Sequence, residues 1–161
     1  LNRPEGELSE AVKRLLENIK KLDKALLESN EKNLQYEANE LLAKNTIQND
    51  TVMVIETFSD RSIQELQKLA KMIADREKRA LIFFLSENDH RFQLVCGRGE
   101  ANKMDMRTLM QESLSLIDGK GGGNNMFAQG GGTASLTIEE FMKNVMNIIA
   151  TQIKSEFNRP L

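Results

Sequence analysis

The chain has 161 residues, of which 40% are hydrophobic and 29% charged, a composition typical of a globular, helix-favouring protein rather than a disordered one. Its formal net charge is -2 and its pI is near 5.6, which excludes a domain that coats nucleic acid through overall positive charge and leaves only local contacts. No window reaches the roughly 18 uninterrupted apolar residues of a membrane-spanning helix, and no apolar signal segment opens the chain, so we expect no membrane contact.

Two single residues give expectations about the cellular compartment and about the extent of the polypeptide. Cys96 is the only cysteine, which excludes an internal disulfide and favours the reducing cytoplasm. The first residue is Leu1 rather than Met, so we expect the polypeptide to continue upstream of this sequence.

The first 48 residues are predicted to form one long amphipathic helix. Its apolar positions follow the alternating spacing of four and three residues that defines a coiled-coil seam. They are Leu8, Val12, Leu15, Ile19, Leu22 and Leu26. The helix should end near Asn45, and self-association into a homodimer would cover its apolar stripe. An ordinary helix packed on its own domain is the alternative.

A globular domain over residues 49–161 is predicted to follow. Thr51 to Phe58 is rich in β-branched residues and indicates a strand, and Ser62 with Glu65 forms a capping box that starts a helix reaching about Lys78. The segment from Ala80 to Leu85 is apolar on both faces, as in a central strand covered on both sides.

The remaining elements complete an α/β layered domain. A turn over Ser86 to Asp89 leads into an antiparallel partner strand, Arg91 to Gly97. A helix from Met104 to Ile117 precedes a glycine loop with a short strand, and a last helix starts at Thr137. The predicted fold class is therefore α/β (α+β), a small mixed β-sheet with flanking helices behind a long coiled-coil-like helix.

The glycine segment carries the most specific functional signal. Seven of the ten glycines lie between Gly119 and Gly132, and bare backbone at this density lets N–H groups approach a phosphate or sugar closely. The alternative is a flexible surface loop. The order Gly119-Lys120-Gly121-Gly122-Gly123, then Met126-Phe127-Ala128-Gln129, then Gly130-Gly131-Gly132 resembles the glycine-rich motif of the DHHA1 family in its alanyl-tRNA synthetase form.

The resemblance implies a domain that grips tRNA, can self-associate and lies C-terminal to an editing or catalytic domain in its parent protein. The parent would be an alanyl-tRNA synthetase-related ligase or an aminoacyl-tRNA deacylase, and this fragment would be no enzyme by itself. The expected tRNA-binding residues, including two basic residues nearby, are Lys120, Gly121, Gly122, Gly123, Asn124, Asn125, Gln129, Gly130, Gly131, Gly132, Arg98 and Arg107.

No catalytic or metal-binding set is found in the sequence, and no cofactor is expected in this fragment. His90 is the only histidine, whereas zinc hydrolase sites need several His or Cys ligands. Cys96 has no second cysteine and no neighbouring histidine to activate it, so a structural thiol is favoured over a nucleophile. We expect His90 to be a solvent-facing turn residue.

Two other functions remain open at this stage. One is the substrate-binding half of a DHH-type phosphoesterase, although those family members commonly place His directly after the glycine triplet, where this chain has Asn124. The other is a purely structural coiled-coil element, which would leave the glycine segment without a role. The basic residues Arg91, Arg98, Lys103, Arg107 and Lys120 are expected either to form a local positive edge beside the glycines or to be a solvated charged face, and no aromatic residue stands among them for base stacking.

Overall fold

A computed structural model describes residues 5–44, 46–48, 50–133 and 135–157. The helices of this part of the chain are α1 (Glu5–Ala43), α2 (Ile63–Arg76), α3 (Met106–Ser115) and α4 (Ile138–Phe157). The strands are β1 (Thr46–Gln48), β2 (Thr51–Ser59), β3 (Ala80–Asn88), β4 (Arg91–Arg98), β5 (Lys120–Gly123) and β6 (Phe127–Thr133).

The chain divides after Tyr36 into two compact units, Leu1–Tyr36 and Glu37–Leu161. In the first unit α1 is a single helix that leaves its seam exposed from Val12 onward, with Leu15 at 60% and Leu22 at 69% of their full solvent exposure. The long helix predicted from the heptad spacing is thus confirmed. It ends at Ala43, and Asn45 lies outside the described residues.

The second unit is built on one mixed sheet with the strand order β1-β2-β3-β4-β6-β5. Only β2 and β3 run parallel, because α2 connects them as a crossover, and the other neighbours are antiparallel. The predicted fold class is confirmed. β3 lies inside the sheet, as the apolar run from Ala80 to Leu85 indicated.

Helices cover the two faces of the sheet. Side chains alternate along each strand, so β3 directs Leu81, Phe83 and Leu85 into a core shared with α3 and α4. The opposite face of β3 and β4 is covered by α2. The buried residues of α2 include Leu66, Leu69, Ala70 and Ile73. We call the first the α3 face and the second the α2 face.

Local signals placed the starts of α2 and α4 correctly, whereas the turn predicted over Ser86 to Asp89 lies at Asp89 and His90 because β3 continues to Asn88. Ser62 Oγ accepts the Glu65 N–H at 3.2 Å, and Thr137 Oγ1 accepts the Glu140 N–H at 3.2 Å. Between β3 and β4, Asp89 and His90 have φ values of 45° and 64°, the two positive values of a type I′ hairpin turn. His90 is exposed there, as expected.

Other elements also differ from the sequence prediction. β1 was not predicted, because three residues in a polar segment carry too little periodicity. α3 is shorter than the predicted Met104 to Ile117, since Asp105 caps it by accepting the Arg107 N–H at 3.0 Å. The glycine segment is a hairpin of two strands rather than a loop with one short strand. Within the described residues, none of the helices is long and apolar enough to cross a membrane.

Candidate nucleic-acid interface

The glycine segment forms the outer hairpin of the sheet. β5 pairs antiparallel with β6, with Gly121 opposite Gly130 and Gly122 opposite Gln129. Asn124 closes the turn, because its Oδ1 accepts the backbone N–H groups of Met126 at 2.8 Å and Phe127 at 2.9 Å. The expected RNA-binding residue Asn124 is therefore also an Asx-type turn former.

The glycines of the hairpin divide between the two faces of the sheet. A Cβ added to Gly130 or Gly119 would lie 2.8 Å from methyl groups of Leu114 on α3, so these positions let α3 pack closely against the hairpin. Gly130 and Gly121 thus belong to the α3 face. The opposite face carries Gly122 and Gly131, where the alternation of β-strand side chains also places Lys120 and Gln129.

Gly122 is the open position of the hairpin. A Cβ added to Gly122 would meet no atom within 4 Å, whereas one on the neighbouring Gly121 would lie 2.3 Å from the Gln129 carbonyl oxygen. All four residues of β5 are exposed, and β5 is an edge strand with a partner on one side only. Its outward N–H groups are consequently accessible to a ligand.

A groove of about 400 Å³ lies between this open hairpin face and α2. Its lining includes Gln67 of α2 together with Gly122, Phe127 and Gln129 of the hairpin. The half-buried Phe127 ring lies against β4 at Gly97, where an added Cβ would come within 2.6 Å of a ring carbon. The absence of a side chain at Gly97 therefore leaves the space that the Phe127 ring occupies beside β4.

Arg98 does not contribute an exposed cation to this surface. It is 8% exposed, and its guanidinium donates to the backbone carbonyls of Asn125 at 2.9 Å, Gly99 at 3.2 Å and Asn102. Arg98 thus ties the end of β4 to the hairpin turn. Its expected role in nucleic-acid binding gains no support from this position.

Arg107 is exposed in the first turn of α3 and lies near the hairpin turn, since the Met106 N–H donates to the Asn125 carbonyl at 3.1 Å. The predicted cluster of basic residues is wrong in its extent. In the register of β3 and β4, Arg91 lies opposite Asn88 and Arg98 lies opposite Leu81, so the two arginines are at opposite ends of β4.

The reactive side chains of the described residues include the single cysteine and the single histidine of the chain. Cys96 is fully buried, and burial raises the pKa of its thiol to about 12, so the thiolate needed by a nucleophile is disfavoured. His90 and Glu87 border a second depression of about 430 Å³ beside the start of α4. Among the described residues, no three His, Cys, Asp or Glu side chains are placed to hold a metal ion.

Sequence reasoning missed two residues of the groove. Gln67 precedes the hairpin by more than 50 residues and looks like an ordinary exposed helix position, so no local signal could identify it. Phe127 stands inside the glycine segment, where no basic residue is adjacent to it in the sequence. The alternation of the strand places Phe127 on the same face as the predicted residue Gln129 and could have identified it.

Comparisons with known proteins agree with this architecture. The family model described as "DHHA1 domain" matches residues 49–151. Alanine–tRNA ligase of Francisella tularensis subsp. novicida (strain U112) is 26% identical over 156 residues, 96% of this chain. The corresponding ligase of Fusobacterium nucleatum is 25% identical over 154 residues, 95% of this chain. In both cases the chain spans only 18% of the length of the relative.

A solved structure gives a match for the globular part. The C-Ala domain of Aquifex aeolicus alanyl-tRNA synthetase has a TM-score of 0.59 and 27% identity. The match covers 65% of this chain and 96% of that domain.

Proposed function

This chain belongs to the DHHA1 domain family and is homologous to the C-terminal domain of alanyl-tRNA synthetase, and we propose from this that it is a tRNA-binding, self-associating domain of a longer protein. The parent is an alanyl-tRNA synthetase-like ligase or an aminoacyl-tRNA editing protein, with its catalytic or editing domain on the N-terminal side and its site of action in the cytoplasm. No cofactor is assigned to this part of it.

The single observation that carries the tRNA assignment is the open hairpin face around Gly122. No side chain shields the backbone there, the edge of β5 is exposed, and Lys120 adds a positive charge two residues away on the same face. Backbone N–H groups and a lysine ammonium are suitable donors for phosphate oxygens. Because the whole chain has a formal charge of -2, such contacts must be few and local.

Lys120→Glu tests this site. Lys120 is exposed, so the variant should fold normally, bind tRNA more weakly and show a salt dependence of log Kd reduced by about one, as expected when one phosphate contact is lost. Fluorescence anisotropy with labelled tRNA at several salt concentrations measures both quantities. The matched control is Lys143→Glu, which makes the same charge change at an exposed position of α4. Equal binding by both variants and the parent would contradict the assignment.

Self-association is proposed to occur through α1. Its exposed apolar side chains are Val12, Leu15, Leu16, Ile19, Leu22, Leu26 and Leu27, each between 46% and 69% exposed. Such a continuous stripe is unfavourable in water. Branched Val12 and Ile19 alternate with Leu15 and Leu22 in the a and d positions, the arrangement that favours a parallel two-stranded coiled coil. A second copy of the chain would cover the stripe.

Light scattering or sedimentation equilibrium at tens of micromolar tests this interface. The parent chain should be dimeric, and a Leu15→Ala, Leu22→Ala double variant should shift it toward the monomer. A Lys13→Ala, Lys20→Ala double variant is the matched control, because both lysines are exposed outside the seam and alanine keeps the helix propensity high. A monomeric parent chain, or equal dissociation of both variants, would disprove dimerisation through the seam.

A further inference from the structure

We propose that the groove between α2 and the β5–β6 hairpin binds one unpaired nucleobase of an RNA chain. The inference rests on the proposed function, because it adds recognition of a base to a surface otherwise assigned only to phosphate contacts. It also replaces the expectation, drawn from the sequence, that no base-stacking platform is present.

The lining of the groove includes an aromatic side chain, that of Phe127. Phe127 is half-buried and its ring lies against the bare backbone of Gly97. Beside it, Gly122 leaves the adjoining strand without a side chain. A partly exposed aromatic ring beside a strand position without a side chain leaves room for another planar group, and nucleobases stack on aromatic side chains.

Two polar side chains also border the groove. Gln67 on α2 and Gln129 on β6 are both exposed and border the groove from opposite sides. Each carboxamide offers two N–H donors and one carbonyl acceptor. Together they can meet the mixed donors and acceptors on the edge of a base, whereas a purely apolar ligand would leave them unpaired.

Positively charged side chains stand on both elements that border the groove. Lys120 lies on the same face of the hairpin as Gly122. Lys71 is exposed and stands one helical turn after Gln67, on the same side of α2. Two exposed cations on the elements that border the groove are suitable partners for the phosphates of a bound nucleotide. The groove volume of about 400 Å³ is within the range of about 300–1,000 Å³ found for small-molecule sites.

The geometry favours an unpaired base over a base inside a duplex. A duplex base has its pairing edge occupied and its faces stacked on its neighbours, so it cannot offer a face to Phe127 and an edge to Gln67 and Gln129 together. A loop, bulge or single strand can do so. The expected ligand is therefore a single-stranded or looped segment of RNA.

Binding of labelled single-stranded RNA of about eight nucleotides, a length typical of such sites, tests the proposal against a perfectly paired duplex of the same sequence. The parent chain should bind the single strand more tightly. Phe127→Leu should weaken that binding about ten-fold, because the leucine still packs on Gly97 but cannot stack. Gln67→Ala should weaken it by a smaller factor, and the duplex affinity should change little in either variant.

Gln111→Ala is the matched control, since it makes the same change at an exposed position of α3, on the opposite side of the sheet. Circular dichroism checks folding. Gln67 is an exposed helical residue, so Gln67→Ala keeps the test decisive even if Phe127→Leu unfolds. RNA carrying 4-thiouridine should cross-link within the peptide that contains Phe127.

Single-strand affinities that are unchanged in Phe127→Leu and Gln67→Ala would overturn the proposal. So would equal affinity for adenosine or uridine monophosphate and for the oligonucleotide, since the groove would then be a free-nucleotide site. If tRNA binding depends on Lys120 but not on these two residues, only the base site fails. If single-strand binding depends on them while tRNA binding is indifferent to Lys120, the proposed phosphate contact fails instead.

Discussion

Single glycines of the hairpin have different structural roles although they are neighbours in the sequence. At Gly121 a side chain would collide with the backbone of β6, with 2.3 Å to the Gln129 carbonyl oxygen, whereas at Gly122 it would point into open space. Amino-acid composition alone does not distinguish Gly121 from Gly122. The face of the strand on which each lies decides what a substitution does.

We therefore predict opposite outcomes for Gly121→Val and Gly122→Val. Gly122→Val should keep or slightly raise the free energy of unfolding, since valine suits a strand and restricts the unfolded chain, by about 0.4–1 kcal/mol. Gly121→Val should lower it by about 1–3 kcal/mol, because overpacking forces backbone shifts. Urea unfolding of both variants measures this. The folded Gly122→Val protein should also bind tRNA more weakly, and equal stability of the two variants would contradict the assigned faces.

At the scale of elements, Arg61 joins the end of α1 to the start of α2. Its guanidinium donates to both carboxylate oxygens of Glu37 at 2.7 and 2.8 Å and to Glu65 at 2.5 Å, and it lies 4.8 Å from the centre of the Phe58 ring. The Arg61 backbone N–H donates to the Oγ of the buried Ser86 at 3.0 Å. These contacts hold the last turns of α1, from Glu37 onward, within the globular unit.

Arg61→Lys should lower the free energy of unfolding by about 1–2 kcal/mol, because lysine cannot reproduce the two-pronged contact with Glu37, and partial exposure screens the pair. Hydrogen exchange of the amides from residue 38 to 43 should become faster. Arg79→Lys is the control: the Arg79 side chain is 42% exposed and its partner Asp50 85% exposed, so the change should lower the free energy of unfolding less than Arg61→Lys does. Equal effects of the two changes would show that Arg61 is an ordinary surface charge.

For the whole molecule, we predict that the chain hydrolyses neither aminoacyl-tRNA nor nucleotide phosphodiesters, with or without added zinc or manganese. The described residues contain no cluster of three potential metal ligands, and the one thiol is buried with a raised pKa. Turnover assays of the purified chain with each substrate class check this. Metal-dependent activity that survives further purification and is lost on substitution of His90 would favour the phosphoesterase alternative.

The sequence by itself determined the four helices and most of the strands, with approximate limits. The heptad spacing specified α1, the Ser62 and Glu65 pair specified the start of α2, and the unbroken apolar run from Ala80 to Leu85 specified an internal strand. Each of these signals is local, since periodicity and capping depend on residues within a few positions of one another. The glycine density likewise located the candidate site along the chain.

Only the tertiary structure decided which residues meet at that site. Strand order places Gln67 opposite Gln129 across a groove, turns Gly130 toward Leu114 and away from solvent, and buries Arg98 under the hairpin turn. These outcomes depend on pairing between segments far apart in sequence, and a register shift of one residue would exchange the faces of every side chain in the hairpin. Local composition contains no information on that register, because register depends on which strand faces are buried against the shared core.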